Sequence, residues 1–182
     1  MSAVQRAAAD RAIRAHIRRL PAFRQARRVA LFLPFDGEPT LTPLIDSAHP
    51  KHWYAPVITR TRMHFARIHG GAALAHNFFG ILEPHLGAPI DARRLDLVLT
   101  PLVAFDDHGV RVGVGRGYYD RCFRFLHVRH AWQRPKLLGI AYELQHLPYI
   151  ETQEWDVPLW GAVTEAGVRR FEIPSAEVTE PA

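Results

Sequence analysis

Three short apolar-rich runs, Val29–Leu33, Leu95–Phe105 and Leu137–Tyr142, constrain this chain more than any other feature. Runs of this length and density suit strands buried on both faces, and such strands belong to sheets covered by helices on each side. Between them lie segments with a different period. Val4–Leu20 reads as an amphipathic helix, with Val4, Ala8, Ile13, Ile17 and Leu20 near one face and arginines on the other. Pro21 ends it or opens a second short helix through Arg28. Pro43–Ser47 opens another, with Thr42 as its N-cap, and Tyr118–Val128 reads as a further helix. Trp53–Ile58, Met63–Ile68, Ala162–Thr164 and Val168–Ile173 are additional strand candidates, and Gly70–Pro89 reads as loop. Apolar strands alternating with helices predict an α/β fold, a single domain over residues 1–173 with a mostly parallel central sheet and helices on both faces. Residues 174–182 are expected to form a disordered tail.

In such sheets ligands bind beyond the carboxyl ends of the strands. The stretch Arg111-Val112-Gly113-Val114-Gly115-Arg116-Gly117-Tyr118-Tyr119-Asp120-Arg121 follows the strongest strand candidate, which is the expected place. Its three alternating glycines let the backbone approach a bulky anion, and successive N–H groups can wrap around phosphate oxygens. Arg111 and Arg116 add cationic charge there, and Asp120 is positioned to hold a phosphate-linked magnesium ion. The loop has neither a Walker A ending nor dinucleotide spacing. On spacing alone it is either an anion cradle or a flexible strand-to-helix connection.

Charge agrees with an anionic partner. Lys and Arg number 23 against 18 acidic residues, and Lys51 and Lys136 are the only lysines. Arginine favours planar, bidentate contacts with phosphate and carboxylate. A nucleic-acid role has only this charge behind it, since no recognition motif accompanies it. Cys122 is the only cysteine, so no internal disulfide is possible and a reducing compartment fits. No apolar run reaches the ~20 residues of a membrane helix, and the first ten residues lack a signal-type stretch. The expected location is the cytoplasm. His49-x-x-His52 and His127-x-x-His130 lack a cysteine or acidic partner at zinc spacing, and no Gly-x-Ser-x-Gly elbow supports a serine hydrolase.

Taken whole, the string Gly-x-Gly-x-Gly-Tyr-Tyr-Asp-Arg after Ala104-Phe105-Asp106 resembles the 5-formyltetrahydrofolate cyclo-ligase family. Other landmarks follow in the family's order: Leu31 to Glu38, Met63-His64-Phe65, Asn77 to Pro84, Asp156-Val157-Pro158-Leu159 and Val163-Thr164-Glu165. The likeness spans roughly Leu20 to Glu165. It implies ATP-dependent conversion of 5-formyltetrahydrofolate to 5,10-methenyltetrahydrofolate, with release of ADP and phosphate. A non-catalytic folate- and nucleotide-binding protein of the same fold is the alternative.

Carried over by position, the resemblance makes Arg111, Gly113, Val114, Gly115, Arg116, Gly117, Tyr118 and Tyr119 the ATP-binding loop. Leu33, Glu38 and Val114 to Tyr118 would face the folate. Asp120 and Asp156 would hold Mg²⁺, and Arg116 and Tyr118 would act on the reacting groups. Each has a plainer alternative. Arg116 is otherwise a solvated loop charge, Glu38 a helix cap, Asp156 a turn residue before Pro158, and the two tyrosines helix packing. The implied partner is a reduced folate, polyglutamylated or not, bound by a monomer without nucleic acid or membrane. The chain departs from the family pattern at Trp155 and Trp160, where relatives often carry His and Asp, and it has no lysine before Lys51. The family's additional Lys/Arg helix is therefore expected to lie outside this sequence, with Arg6 or Arg11 as the substitutes at hand.

Overall fold

A computed structural model describes residues 1–45, 51–128 and 134–172. Twelve strands and three helices follow in chain order. They are α1 (Ala3–Arg19), α2 (Pro21–Gln25), β1 (Arg28–Ala30), β2 (His52–Ile58), β3 (Met63–Ile68), β4 (Leu74–His76), β5 (Leu82–Pro84), β6 (Pro89–Ile90), β7 (Leu97–Pro101), β8 (Ala104–Phe105), β9 (Arg111–Val112), α3 (Tyr118–Phe123), β10 (Lys136–Ile140), β11 (Gly161–Thr164) and β12 (Gly167–Arg170).

Eight of the strands form one sheet in the order β12-β11-β10-β7-β1-β2-β3-β6. Its centre is parallel: β1 pairs with β2 (Arg28 opposite His52) and with β7 (Val29 opposite Leu97), β7 pairs with β10, and β10 with β11. Both margins are antiparallel, with β12 beside β11 and β3 and β6 beyond β2. The expected α/β class with a mostly parallel sheet is observed. β1 is followed by β2 on one side and later by β7 on the other. The order therefore reverses between β1 and β7, and that reversal opens a crevice beyond their carboxyl ends.

Side chains alternate between two cores, as the pleat requires. Val29, Leu31, Leu97, Leu99, Leu138 and Ile140 face α1 and α2, where they meet Ile13, Ile17 and Phe23. Ala30, Val98, Leu137 and Ala162 face the side of α3, whose Phe123 packs on Phe65 at 5.8 Å. Helices thus cover both faces. No helix of the described residues is long and apolar enough to cross a membrane.

Several boundaries differ from the sequence reading. In α1 the inward alanine is Ala9, while Val4 and Ala8 are exposed. Thr42 is no N-cap: it is the first residue of a 3₁₀ turn, Thr42–Leu44, which has no side-chain cap. The Leu95–Phe105 run is broken. The chain leaves the sheet after Pro101 and then pairs as β8 with β9, with a single parallel bridge from Phe105 to His146. Gly70–Pro89 is not all loop, since β4 and β5 form a ribbon and β6 joins the sheet edge. The helix expected through Val128 is α-helical only to Phe123 and continues as a 3₁₀ turn, Arg124–Val128. Ser47, His49, His130 and residues 174–182 lie outside the described residues.

Candidate active site

The glycine loop is held from below by a buried carboxylate. Asp106 is fully buried, and its Oδ1 accepts the His108 and Val110 N–H groups at 2.9 Å, closing the β8–β9 turn. Its Oδ2 accepts the Ile150 N–H at 3.0 Å, which ties the loop before β11 to the same hairpin. Residues 113–117 leave this anchored hairpin and turn into α3. Gly117, at φ +58°, is the residue before the helix, and a side chain there would be strained and would press on the Arg121 guanidinium. Arg121 donates to the Arg116 carbonyl at 2.7 Å and lies over the Tyr118 ring. It therefore fixes the loop's shape, a role that sequence reasoning missed.

Arg111 does not reach outward as a free phosphate hook. Its side chain is 5% exposed. It donates to the Val157 carbonyl and, at 2.5 Å, to Asp120 Oδ1. Asp120 Oδ1 also accepts the Val157 N–H at 3.3 Å. This knot joins β9, α3 and the segment before β11. Asp156 stands on the same wall, its Oδ2 accepting the Gln153 N–H at 2.9 Å.

Above this wall opens a cleft of about 690 Å³ lined by Gly113, Gly115, Gly117, Arg116, Asp120 and Asp156. Arg121, Arg124 and His127 add cationic or titratable groups from α3 and the turn after it. Their positions four, seven and ten residues beyond Gly117 place them on successive turns of one face, a signal the sequence carried. Exposed Trp155 forms part of the rim. The structure thus brings Arg111, the three glycines, Arg116, Asp120 and Asp156 to one cleft.

Arg116 and Tyr118 face a second element. The Arg116 guanidinium lies 4.2 Å from the centre of the Phe79 ring, which meets Tyr118 edge-on at 6.3 Å. The Tyr118 hydroxyl donates to the Thr59 carbonyl at 3.1 Å. Phe79 sits at the turn of the β4–β5 ribbon. There Asn77 Oδ1 accepts the Phe79 and Ile81 N–H groups, and Glu83 accepts from Asn77 and from the Ile58 N–H. An exposed Phe78 stands beside it.

Leu33 and Glu38 belong to the loop after β1, on the other side of the β1/β7 crevice. Leu33 is 5% exposed and packs with the α1-side core. Glu38 is half-buried at a turn where Asp36 and Gly37 both have positive φ, and its Oε2 accepts the Phe35 N–H at 3.0 Å. Burial pushes its carboxyl up to about 7, opposed by that N–H and aided by Asp36. Tyr119 stacks on Phe123, and burial, with Glu38 nearby, pushes its phenol well above the usual range. Val114 is exposed at the loop's crest.

The donor set can be tested against magnesium. Among the described residues no group of three or more His, Cys, Asp or Glu could hold a metal ion. Asp120 and Asp156 are two carboxylates on the wall of a cleft lined by arginines. Magnesium carried on phosphates keeps its waters and takes only one or two protein carboxylates.

Fold and site together define a class: an α/β protein with a mostly parallel sheet, in which a glycine loop beyond the central strands borders an arginine-lined cleft. Comparison with known proteins narrows it. Residues 1–165 match the model of the 5-formyltetrahydrofolate cyclo-ligase family. A Haemophilus influenzae 5-formyltetrahydrofolate cyclo-ligase is 36% identical, over 88% of this chain and 87% of the relative. An Escherichia coli K12 protein of the same name is 37% identical, over 79% and 80%. The solution structure of Aquifex aeolicus 5,10-methenyltetrahydrofolate synthetase superposes with a TM-score of 0.81 at 30% identity, covering 99% of this chain and 92% of that one. The Mycoplasma pneumoniae 5,10-methenyltetrahydrofolate synthetase shares the fold, with a TM-score of 0.68 at 20% identity over 91% and 90%. The chain belongs to the 5-formyltetrahydrofolate cyclo-ligase family, and so is an enzyme of the ligase class.

Proposed function

We propose that the protein converts 5-formyltetrahydrofolate and ATP to 5,10-methenyltetrahydrofolate, ADP and phosphate. The observation that carries this reading is the glycine-loop cleft, ringed by Arg116, Arg121 and Arg124, in a chain of this family. An N-formyl group is an amide and a poor electrophile. Its oxygen attacks the γ-phosphorus of ATP, the bond to ADP breaks, and a phosphorylated imidate forms. N10 of the folate then attacks the activated carbon and gives up its proton to solvent, and the C–O bond breaks as phosphate leaves. The protein's part is positioning and charge stabilisation.

In this reading the amides of Gly113 to Tyr119 and the Arg116 guanidinium cradle the phosphates. Arg111 holds Asp120 toward them, and Tyr118 orients the formyl group. Magnesium bound through the phosphates, with Asp120 and Asp156 beside it, would neutralise charge on the transferring group. Glu38 would accept hydrogen bonds from the N–H edge of the pterin, with Leu33 beneath it and Phe79 as an apolar platform. The protein acts on reduced folate, polyglutamylated or not, as a cytoplasmic monomer, over one domain spanning 1–173.

The test is a spectrophotometric assay for methenyltetrahydrofolate with 5-formyltetrahydrofolate and Mg-ATP. Product that requires ATP and is lost in Asp120→Ala supports the reading. Folate binding without product would replace it with a non-catalytic binding protein.

A further inference from the structure

The glycine-loop cleft is lined by two kinds of surface. Charge comes from Arg116, Arg121 and Arg124, on the loop and on the helical turns that follow it. Apolar lining comes from other elements: Val112 of β9, and Ile150 and Trp155 of the segment before β11. Val112 is 40% and Trp155 67% exposed, while Ile150 is half-buried.

Trp155 differs from Trp53 and Trp160. Those two are buried, and each has a partner: Trp53 meets the Phe23 ring at 6.0 Å, and the Arg170 guanidinium lies 3.3 Å from the Trp160 ring. Among the described residues no ring or cation packs on the Trp155 indole, and its N–H has no acceptor. A large flat face is thus left open on the rim of a cleft.

The backbone under that face is fixed. The Gln153 carbonyl accepts the Asp156 N–H at 3.0 Å, and the Asp156 carboxylate accepts the Gln153 N–H at 2.9 Å, so Trp155 sits inside a doubly closed turn. Before the turn, buried Asp106 holds the Ile150 N–H at 3.0 Å. After it, Asp120 holds the Val157 N–H at 3.3 Å, and Arg111 donates to the Val157 carbonyl. A ring mounted on backbone already ordered costs little to immobilise when a ligand meets it.

A nucleoside triphosphate is divided as this cleft is, into a polyanion and a flat base. The arginines and loop amides suit the first part. An indole face suits the second, because aromatic rings stack on bases. Glu38, the carboxylate assigned to the pterin, is not among the residues lining this cleft.

We propose that Trp155, flanked by Val112 and Ile150, is the platform on which the base of the bound nucleotide stacks. This rests on the reading that the glycine loop holds the triphosphate. The platform supplies affinity for the nucleoside part with little choice among bases, since every base has a π face.

The probes are ATP and inorganic tripolyphosphate, each with Mg²⁺, titrated into the full chain and followed by calorimetry and tryptophan emission. ATP should quench the native emission, and tripolyphosphate should not. Trp155→Ala should weaken ATP binding about tenfold and leave tripolyphosphate binding unchanged. Trp155→Phe should lose most of the quench yet hold ATP within about threefold of the native chain. Equal loss of ATP and tripolyphosphate in Trp155→Ala would overturn the proposal, because the indole would then act only through the turn that carries Asp156. Unchanged ATP affinity in that variant, or a full quench in Trp155→Phe, would overturn it as well. These readouts need no turnover: the full pattern in a chain that makes no methenyltetrahydrofolate would support the platform and remove the cyclo-ligase reading alone.

Discussion

Arg111 and Asp120 form a nearly dry ion pair, Nη2 to Oδ1 at 2.5 Å, with the arginine side chain 5% and the aspartate 23% exposed. Breaking one side of such a pair strands the other charge, which costs about 3 kcal/mol at a partly buried site. Arg111→Met should therefore lower Tm by about 6–12 °C. The double variant Arg111→Met/Asp120→Leu should regain most of that stability, because neither charge is then stranded. It should not regain folate turnover. Calorimetry and the product assay on the same samples check both halves, and recovery of turnover in the double variant would remove Asp120 from the chemistry.

A second relationship ties α1 to the loop after β1. Arg6, Asp10, Arg14 and Arg18 follow at four-residue spacing, so they share one ridge of the helix. Arg14 donates to the Thr40 carbonyl at 2.6 Å and Arg18 to the Pro43 carbonyl at 3.4 Å, while Arg6 lies against Gly37. Asp10 accepts from the Tyr142 hydroxyl at 2.8 Å, which locks the helix to the end of β10. The loop they clamp carries Glu38. Arg14→Ala should raise KM for 5-formyltetrahydrofolate several-fold and leave KM for ATP unchanged, with Arg14→Lys intermediate. Equal effects on both substrates would mean a general loss of stability instead.

What the sequence made legible follows from periodicity. β1, β7 and β10 are buried on both faces, so each reads as an apolar run whatever its partners. The phase of α1 was misread because Ala7, Ala8 and Ala9 are equally apolar, and only packing selects Ala9. The β4–β5 ribbon was missed because three-residue strands show no period. Its order comes from Asn77 and Glu83 hydrogen bonds, which leave no hydrophobic trace. The glycine loop and its acid were legible as a motif. That Arg111 points inward at Asp120 was not, since sequence gives a charge but no direction. That Arg14 and Arg18 reach the loop after β1 was not legible for the same reason; the sequence places arginines on the other face of the helix and no more.

The Arg116–Phe79 contact separates charge from shape. Lysine in place of Arg116 keeps the charge but loses the planar stack on the ring. Such a contact is worth about 1 kcal/mol near the surface, or about fivefold in a binding constant. Arg116→Lys and Phe79→Leu should each weaken ATP binding by about that factor, and the double variant by little more than either. Fully additive losses, measured by titration calorimetry, would show that the two side chains act separately.

Glu38 links pH to both stability and binding. Its folded carboxyl stands at about 7 against an ordinary 4.5, so the folded state binds a proton the unfolded state has lost between those values. Stability should therefore fall as pH rises from about 4.5 to 7 and then level off, contrary to the usual carboxylate pattern. Glu38→Gln, which cannot ionise, should flatten this slope and raise Tm at pH 8. Binding should move the other way. A carboxylate that accepts from pterin N–H groups must be ionised, so folate affinity in the native chain should weaken as pH falls below 7, approaching about tenfold per unit. The variant should lose both the affinity and its pH dependence. A Tm profile of Glu38→Gln parallel to the native one would place the titrating group elsewhere. If affinity alone lost its slope, Glu38 would be a ligand contact whose burial carries no penalty.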